Sequence, residues 1–161
     1  MCILSDSLIE KNVRHGLLIA SGFNAKNVTP NGYDLSIGEI RIGGITYNGK
    51  TRIPPLSPFL ISTVEYLRMP DNITGSLWLR SSFSRRGVIG SFGYVDAGFE
   101  GELTLSFLNA SNSELTISAG ERIVQIVFEK LCSRSKRSYP ERSGNYHGSR
   151  GITEWLPNQR E

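Results

Sequence analysis

Asp96 and Ser106 stand ten residues apart in GYVDAGFEGELTLSF, residues 93–107. An aspartate before a Gly-rich bend reads in two ways. It is a turn former that bonds its own backbone, or it is a general base that orients a water, with Phe99 three residues on as a packing surface for a sugar or a base. Ser106 is more restricted. A serine hydroxyl is no base near neutral pH without a partner base, and none is visible beside it in the sequence. The stretch therefore leaves open chemistry that one carboxylate can run.

Four other stretches carry polar groups that could meet a ligand. In LRSSFSRRG, residues 79–87, Ser81 and Ser82 open a helical turn whose free N–H groups suit an anion. Arg80 adds a bidentate donor, and Arg85 shares a side of that turn with both serines. The plainer reading is a capped surface turn with solvated arginines. In RIVQIVFEKL, residues 122–131, Gln125 interrupts an apolar strand, so it either makes a structural hydrogen bond or touches a ligand; Arg122 is placed on the other face. GYDL, residues 32–35, carries Asp34, read as a bond to nearby backbone. SGNYHGSRG, residues 143–151, offers Tyr146 for stacking and Arg150 for phosphate, or is a plain disordered tail. His15 and His147 have no ligand-like neighbours, so no metal cage is expected.

These positions need elements to hold them. The 161 residues suit one domain. SDSLIEKNVRHG reads as one short helix, with Ser7 and Glu10 at capping-box spacing and Gly16 at its end. Beyond it the period is that of strands. LLIA, GYDLSIGEIRIGG, FLISTVEYLRMP, GSLWLR and RIVQIVFEKL are rich in β-branched and aromatic residues and bounded by Gly, Pro, Asn or Ser. In ELTLSFL, Leu103, Leu105 and Phe107 share one face; Glu102, Thr104, Ser106 and Leu108 share the other. An all-β barrel or sandwich follows, with residues 1–132 as its body. From about Ser133 the chain turns basic and poor in apolar residues, so 133–161 is expected to be a tail or lid, mobile until an anion orders it. Cys2 and Cys132 give no disulfide framework, no apolar run reaches membrane-spanning length, and the start turns polar by Ser5; a cytoplasmic location is expected. The net charge of +3 fits an anionic small molecule as easily as nucleic acid. A nucleic-acid-binding barrel stays open on the basic and aromatic residues, weakened by their clustering in the tail.

In order and spacing, GYDL, RSS–x–x–R–x–G, VDAGFEGEL, RIVQIVF and a Tyr/Gly/Ser tail resemble the dUTPase and dCTP deaminase superfamily over nearly the whole chain. ILSDSLIEKNVRHGLLI and FLISTVEYLRMPDNITGSLWLRSS look closer to the deaminase branch. The resemblance implies a distorted, jelly-roll-like β-barrel of the dUTPase fold, a homotrimer with sites between subunits, and a tail that closes over the nucleotide. It implies a deoxynucleoside triphosphate substrate with Mg²⁺ held on the phosphates and no protein metal ligands. It places Arg80, Ser81, Ser82 and Arg85 around the triphosphate and the reacting centre, and Asp96 at the sugar hydroxyl and, in dUTPases, at the attacking water. Phe99 falls against the deoxyribose, Gln125 at a phosphate, and Thr104, Tyr139, Tyr146 and Ser149 at further nucleotide-binding positions.

One departure decides the expected reaction. Deaminases of this superfamily carry a glutamate where Ser106 stands, and the loop GSFGY before Asp96 is shorter than theirs, with Phe92 and Tyr94 in it. Deamination without zinc needs a group that moves a proton from water to ammonia. Glu102 shares the strand face but lies roughly 13 Å away along it. Pyrophosphate release asks for one base and charge neutralisation, so the expectation is a dUTP diphosphatase with Asp96 activating water and no binding to nucleic acid or membrane. The alternatives are a dCTP deaminase with another proton shuttle, and a deoxynucleotide-binding protein without turnover.

Overall fold

The computed structural model describes residues 2–142 and 144–154, so residues 155–161 of the expected tail lie outside the described residues. The fold is built on one ten-stranded sheet. Its strands neighbour one another in the order Val88–Gly90, Thr104–Asn109, Pro58–Thr63, Gly32–Ile42, Arg122–Lys130, Ile73–Leu79 and Tyr94–Val95. Every pairing along that path is antiparallel. Glu100–Gly101, Tyr66–Arg68 and Leu18–Ser21 form a second sheet, and Thr51–Ile53 pairs Leu115–Ile117. The expected all-β, dUTPase-like distorted barrel is the fold observed.

Period-two patterning explains why the sheet curls around one core. Leu105, Phe107 and Asn109 are buried while Ser106 and Leu108 between them are exposed, so this strand turns one face to the barrel interior. Phe107 stacks on Phe59 of the next strand with ring centroids 5.1 Å apart. Ile37, Ile40, Ile61, Ile126 and Phe128 complete the interior with no exposed surface. At about 25 cal/mol per Å² of apolar area, such side chains contribute roughly 1.5–3 kcal/mol each.

The single long helix, Asp6–Arg14, buries Ile9 against the barrel. Ser7 lies inside it, so the expected Ser7–Glu10 box does not form. Ser5 is the N-cap without a side-chain bond, and the Asp6 carboxylate accepts the Ser7 N–H at 2.6 Å instead. Among the described residues no helix is long and apolar enough to cross a membrane.

The described part of the tail carries local structure of its own. Ser138 caps a helical turn, Tyr139–Arg142, and the Glu141 carboxylate accepts both the N–H (2.8 Å) and the hydroxyl (3.0 Å) of Ser138. These bonds hold the Glu141 carboxyl below its ordinary range. The sequence SYPE thus forms one half of a capping box, the glutamate reaching back to the Ser138 N–H. Further on, Ser149 bridges Gly101 in parallel, and Ile152 is buried.

Candidate functional site

A cavity of about 840 Å³ opens between the barrel and the docked tail. Six of the residues singled out in the sequence line it: Asp96, Phe99, Thr104, Tyr139, Tyr146 and Ser149. Asp96 sits in the bend before Gly98, whose φ of +83° only glycine adopts cheaply, and its carbonyl takes the Phe99 N–H at 3.1 Å. Its side chain projects outward with no hydrogen-bond partner among the described residues. Phe99 is buried and meets Tyr139 edge-on at 5.5 Å. Asp96 also walls a smaller cavity of about 210 Å³ that Arg137, Ser138 and Arg142 line.

Ser106 lines the large cavity in a row the sequence did not reveal. Strand register sets Ser106 opposite Leu60 and Leu60 opposite Arg41, so the three side chains share one sheet face. Residues 149–154 of the tail cross this face. The Glu102 carboxylate accepts the Gly151 N–H at 2.6 Å and pairs with Arg150 at 3.3 Å. Glu39 accepts the Ile152 N–H at 3.0 Å, and the Thr104 hydroxyl accepts that of Thr153 at 2.9 Å. Arg41 donates to Glu154 at 2.8 Å and to Thr46 at 3.0 Å. Gly151, at φ +62°, is needed here because a Cβ would meet Glu39 Oε2 at 2.8 Å. Glu39, Arg41 and Glu154 were missed in the sequence, where no local pattern marks them. Glu102, weighed there and set aside, lines the cavity with both carboxylate oxygens engaged by the tail.

Arg80, Ser81, Ser82, Arg85 and Gln125 do not line the cavity. They form a separate group on the same chain. Arg80 Nε lies 3.0 Å from Asp34 and its Nη1 donates to the Arg122 carbonyl at 2.9 Å. Arg122 reaches the same Asp34 oxygen at 3.5 Å. Asp34 therefore holds two guanidiniums, where a bond to nearby backbone was expected. Arg122 arrives because the register shifts between Arg122 and Val124, a bulge that brings its side chain round to Asp34, the residue opposite Gln125. Burial pushes the Asp34 carboxyl up, and the pull of Arg80 and then Arg122 only partly offsets it. Gln125 donates to the Thr29 hydroxyl at 2.9 Å. Ser81, Ser82 and Arg85 are exposed on the turn Ser81–Ser84. Among the described residues no three His, Cys, Asp or Glu side chains gather as a metal site.

With this geometry in view, comparison with known proteins gives a family and corrects the expected reaction. The dCTP deaminase-like family model matches residues 44–131. The dCTP deaminase of Thermococcus sibiricus is 41% identical over 93% of this chain and 94% of its own. A protein of a Sulfurihydrogenibium species named dCTP deaminase, dUMP-forming, is 35% identical over 94% of both chains. The crystal structure of 2′-deoxycytidine 5′-triphosphate deaminase from Agrobacterium tumefaciens superposes with a TM-score of 0.70 at 19% identity, over 80% of this chain and 48% of that one, and shows the shared fold. The expectation of a dUTP diphosphatase is overturned by these full-length relatives, which are named for the other reaction. The inference from Ser106 failed because it weighed one strand position, whereas carboxylates from other elements, Asp96, Glu102 and Glu154, also line the cavity that Ser106 lines. The relatives are enzymes of the dUTPase and dCTP deaminase superfamily, and within it this chain belongs to the dCTP deaminase-like family.

Proposed function

We propose that this protein deaminates dCTP, yielding dUTP and ammonia. The observation that carries the reading is similarity to dCTP deaminases along almost the entire chain, and the cavity supports it with room for a nucleoside and with Asp96, Phe99 and Thr104 on its walls. Asp96 takes the sugar hydroxyl, Phe99 backs the deoxyribose, and Thr104, Tyr139, Tyr146 and Ser149 frame the nucleoside. The triphosphate brings Mg²⁺ with it as part of the substrate; the donor chemistry of the described residues offers no cage of side chains for a resident ion.

Arg80, Ser81, Ser82, Arg85 and Gln125 meet the phosphates from a neighbouring copy in a homotrimer. The separation of the two residue groups within one chain supports this, as does the large apolar side chain of Trp78, 61% exposed. The test is incubation with dCTP and Mg²⁺, followed by ammonia assay and nucleotide chromatography. Ammonia with dUTP supports the reading; dCTP returned intact refutes it. Ser106 favours one second reading, a nucleotide-binding protein without turnover, for which dCTP binding without ammonia would be the result.

A further inference from the structure

Hydrolytic removal of the cytosine amino group moves protons twice. Water must lose one as it adds to C4, and the amino group must gain one to leave as ammonia. The group that does this has to stand on the cavity wall and be free to touch water. Asp96 sits on the bend side, and Glu102 is spent: one oxygen accepts the Gly151 N–H and the other pairs with Arg150. Glu39 accepts the Ile152 N–H and does not line the cavity. Glu154 differs on each count. It lines the cavity together with Ser106. Only its Oε1 is engaged, by Arg41 at 2.8 Å, and Oε2 has no hydrogen-bond partner among the described residues.

The register explains why Glu154 comes to this place. Arg41, Leu60 and Ser106 form one cross-strand row, so Arg41 and Ser106 are two strands, about 10 Å, apart. Arg41 is stayed by Thr46 on one side and holds Glu154 on the other. The tail is aligned with the Thr104 strand by the Thr153–Thr104 bond, one alternation before Ser106. The tail therefore brings a carboxylate to the cavity that Ser106 also lines.

We propose that Glu154 is a catalytic residue: the tail-borne proton shuttle that works in place of a carboxylate at 106. This rests on the deaminase reading above. In the first half, Glu154 takes a proton from water as its oxygen bonds C4, the C4=N3 pair moves to N3, and the same proton passes to N3. In the second half, Glu154 takes the new hydroxyl's proton as C4=O forms and the C4–N4 bond breaks, and it hands that proton to the departing amine. Water is consumed, ammonia leaves, and the carboxylate is regenerated.

The experiment compares the full chain with Glu154→Gln, Ser106→Glu and the double variant, measuring ammonia release from dCTP and dCTP binding by calorimetry. Glu154 is 77% exposed, so its replacement by glutamine leaves the fold intact. Glu154→Gln is expected to bind dCTP within about threefold of the parent and to lose roughly 10²–10⁴ in kcat, the usual worth of a positioned acid–base group. Adding Ser106→Glu to that variant is expected to restore at least a tenth of the rate. A Glu154→Gln protein within threefold of the parent kcat overturns Glu154 alone. A parent that binds dCTP and releases no ammonia overturns the deaminase reading, and Glu154 with it.

Discussion

Replacing Glu102 by alanine tests how the cavity's outer wall is held. The Glu102 carboxylate accepts the Gly151 N–H at 2.6 Å, and its pair with Arg150 at 3.3 Å adds little because the Arg150 side chain is 66% exposed. A hydrogen bond to a charged acceptor contributes about 1.5–3 kcal/mol. Fixing a residue's backbone costs about 1–2 kcal/mol, so the six residues 149–154 are held against a cost of the same order as all their bonds together. Loss of one such bond should move the local docking equilibrium by nearly its full value, a factor of roughly 10 to 150. Native-state amide exchange reads this directly. The Gly151, Ile152 and Thr153 amides should lose protection by that factor, while strand amides such as Ile126 and Phe128 keep theirs. Unchanged protection at Gly151 would refute the assignment of Glu102 as the anchor.

Four further outcomes follow from particular contacts. Asp96→Ala should lower kcat/KM for dCTP about tenfold to a hundredfold, the loss of one charge-assisted bond, without moving Tm, since its side chain is exposed; an unchanged kcat/KM removes Asp96 from the site. Asp34→Asn separates two effects of opposite sign: loss of a negative charge alone would tighten triphosphate binding, whereas loss of the stay on Arg80 and Arg122 should weaken it about tenfold, and calorimetry showing tighter binding would refute the positioning role. Glu65 is 1% exposed, takes the Ser36 N–H at 2.9 Å and the Tyr33 hydroxyl at 3.2 Å, and burial pushes its carboxyl up; the native state therefore holds this proton more tightly, its stability contribution is full below the unfolded value of about 4.3 and falls as pH rises through the folded one, and denaturation midpoints of Glu65→Gln should show a shallower decline above about pH 4 than the parent, with parallel curves counting against it. For the proposed homotrimer, Trp78→Glu should release monomers in sedimentation and lower the proposed deaminase activity with them, and an unchanged oligomeric state would place the interface elsewhere.

The barrel was legible because burial on one face leaves a period of two that no turn residue obscures. Residues 102–108 show this, with Leu105 and Phe107 buried, Leu103 half-buried, and Ser106 and Leu108 exposed. Positions that depend on irregular backbone were not legible. The bulge between Arg122 and Val124 reverses the facing that strict alternation assigns to Arg122, and so hid the Asp34 cluster. Composition alone did not show how the described part of the tail is held: SYPE carries a capping signal, Tyr139 and Tyr146 pack against the barrel core, and Ile152 is buried. The site residues were identified as one set because spacing along a chain says nothing of distance across it. Asp96 and Arg80 follow adjacent strands but lie at opposite ends of that pair, because the register sets Val95 opposite Gly75 and leaves Arg80 beyond the far end, which sequence does not display.

Ser106 misled for a related reason. A strand fixes a side chain's direction, so the absence of an acid at one strand position looked like the absence of the acid from the site. A docked tail removes that equivalence, because its side chains reach the same face from outside the sheet. The arrangement has a cost: a carboxylate on a strand is always in place, whereas one on the tail is present only in the docked fraction. With Glu154 as the proposed shuttle, deamination and tail docking form a single linked equilibrium. Glu102→Ala should lower kcat in proportion to the docked fraction measured by exchange at Gly151, although Glu102 takes no part in proton transfer. Ser106→Glu, which places the acid on the strand, should make the rate indifferent to Glu102. A rate that ignores tail protection in the parent protein would mean that the proton moves through some other group.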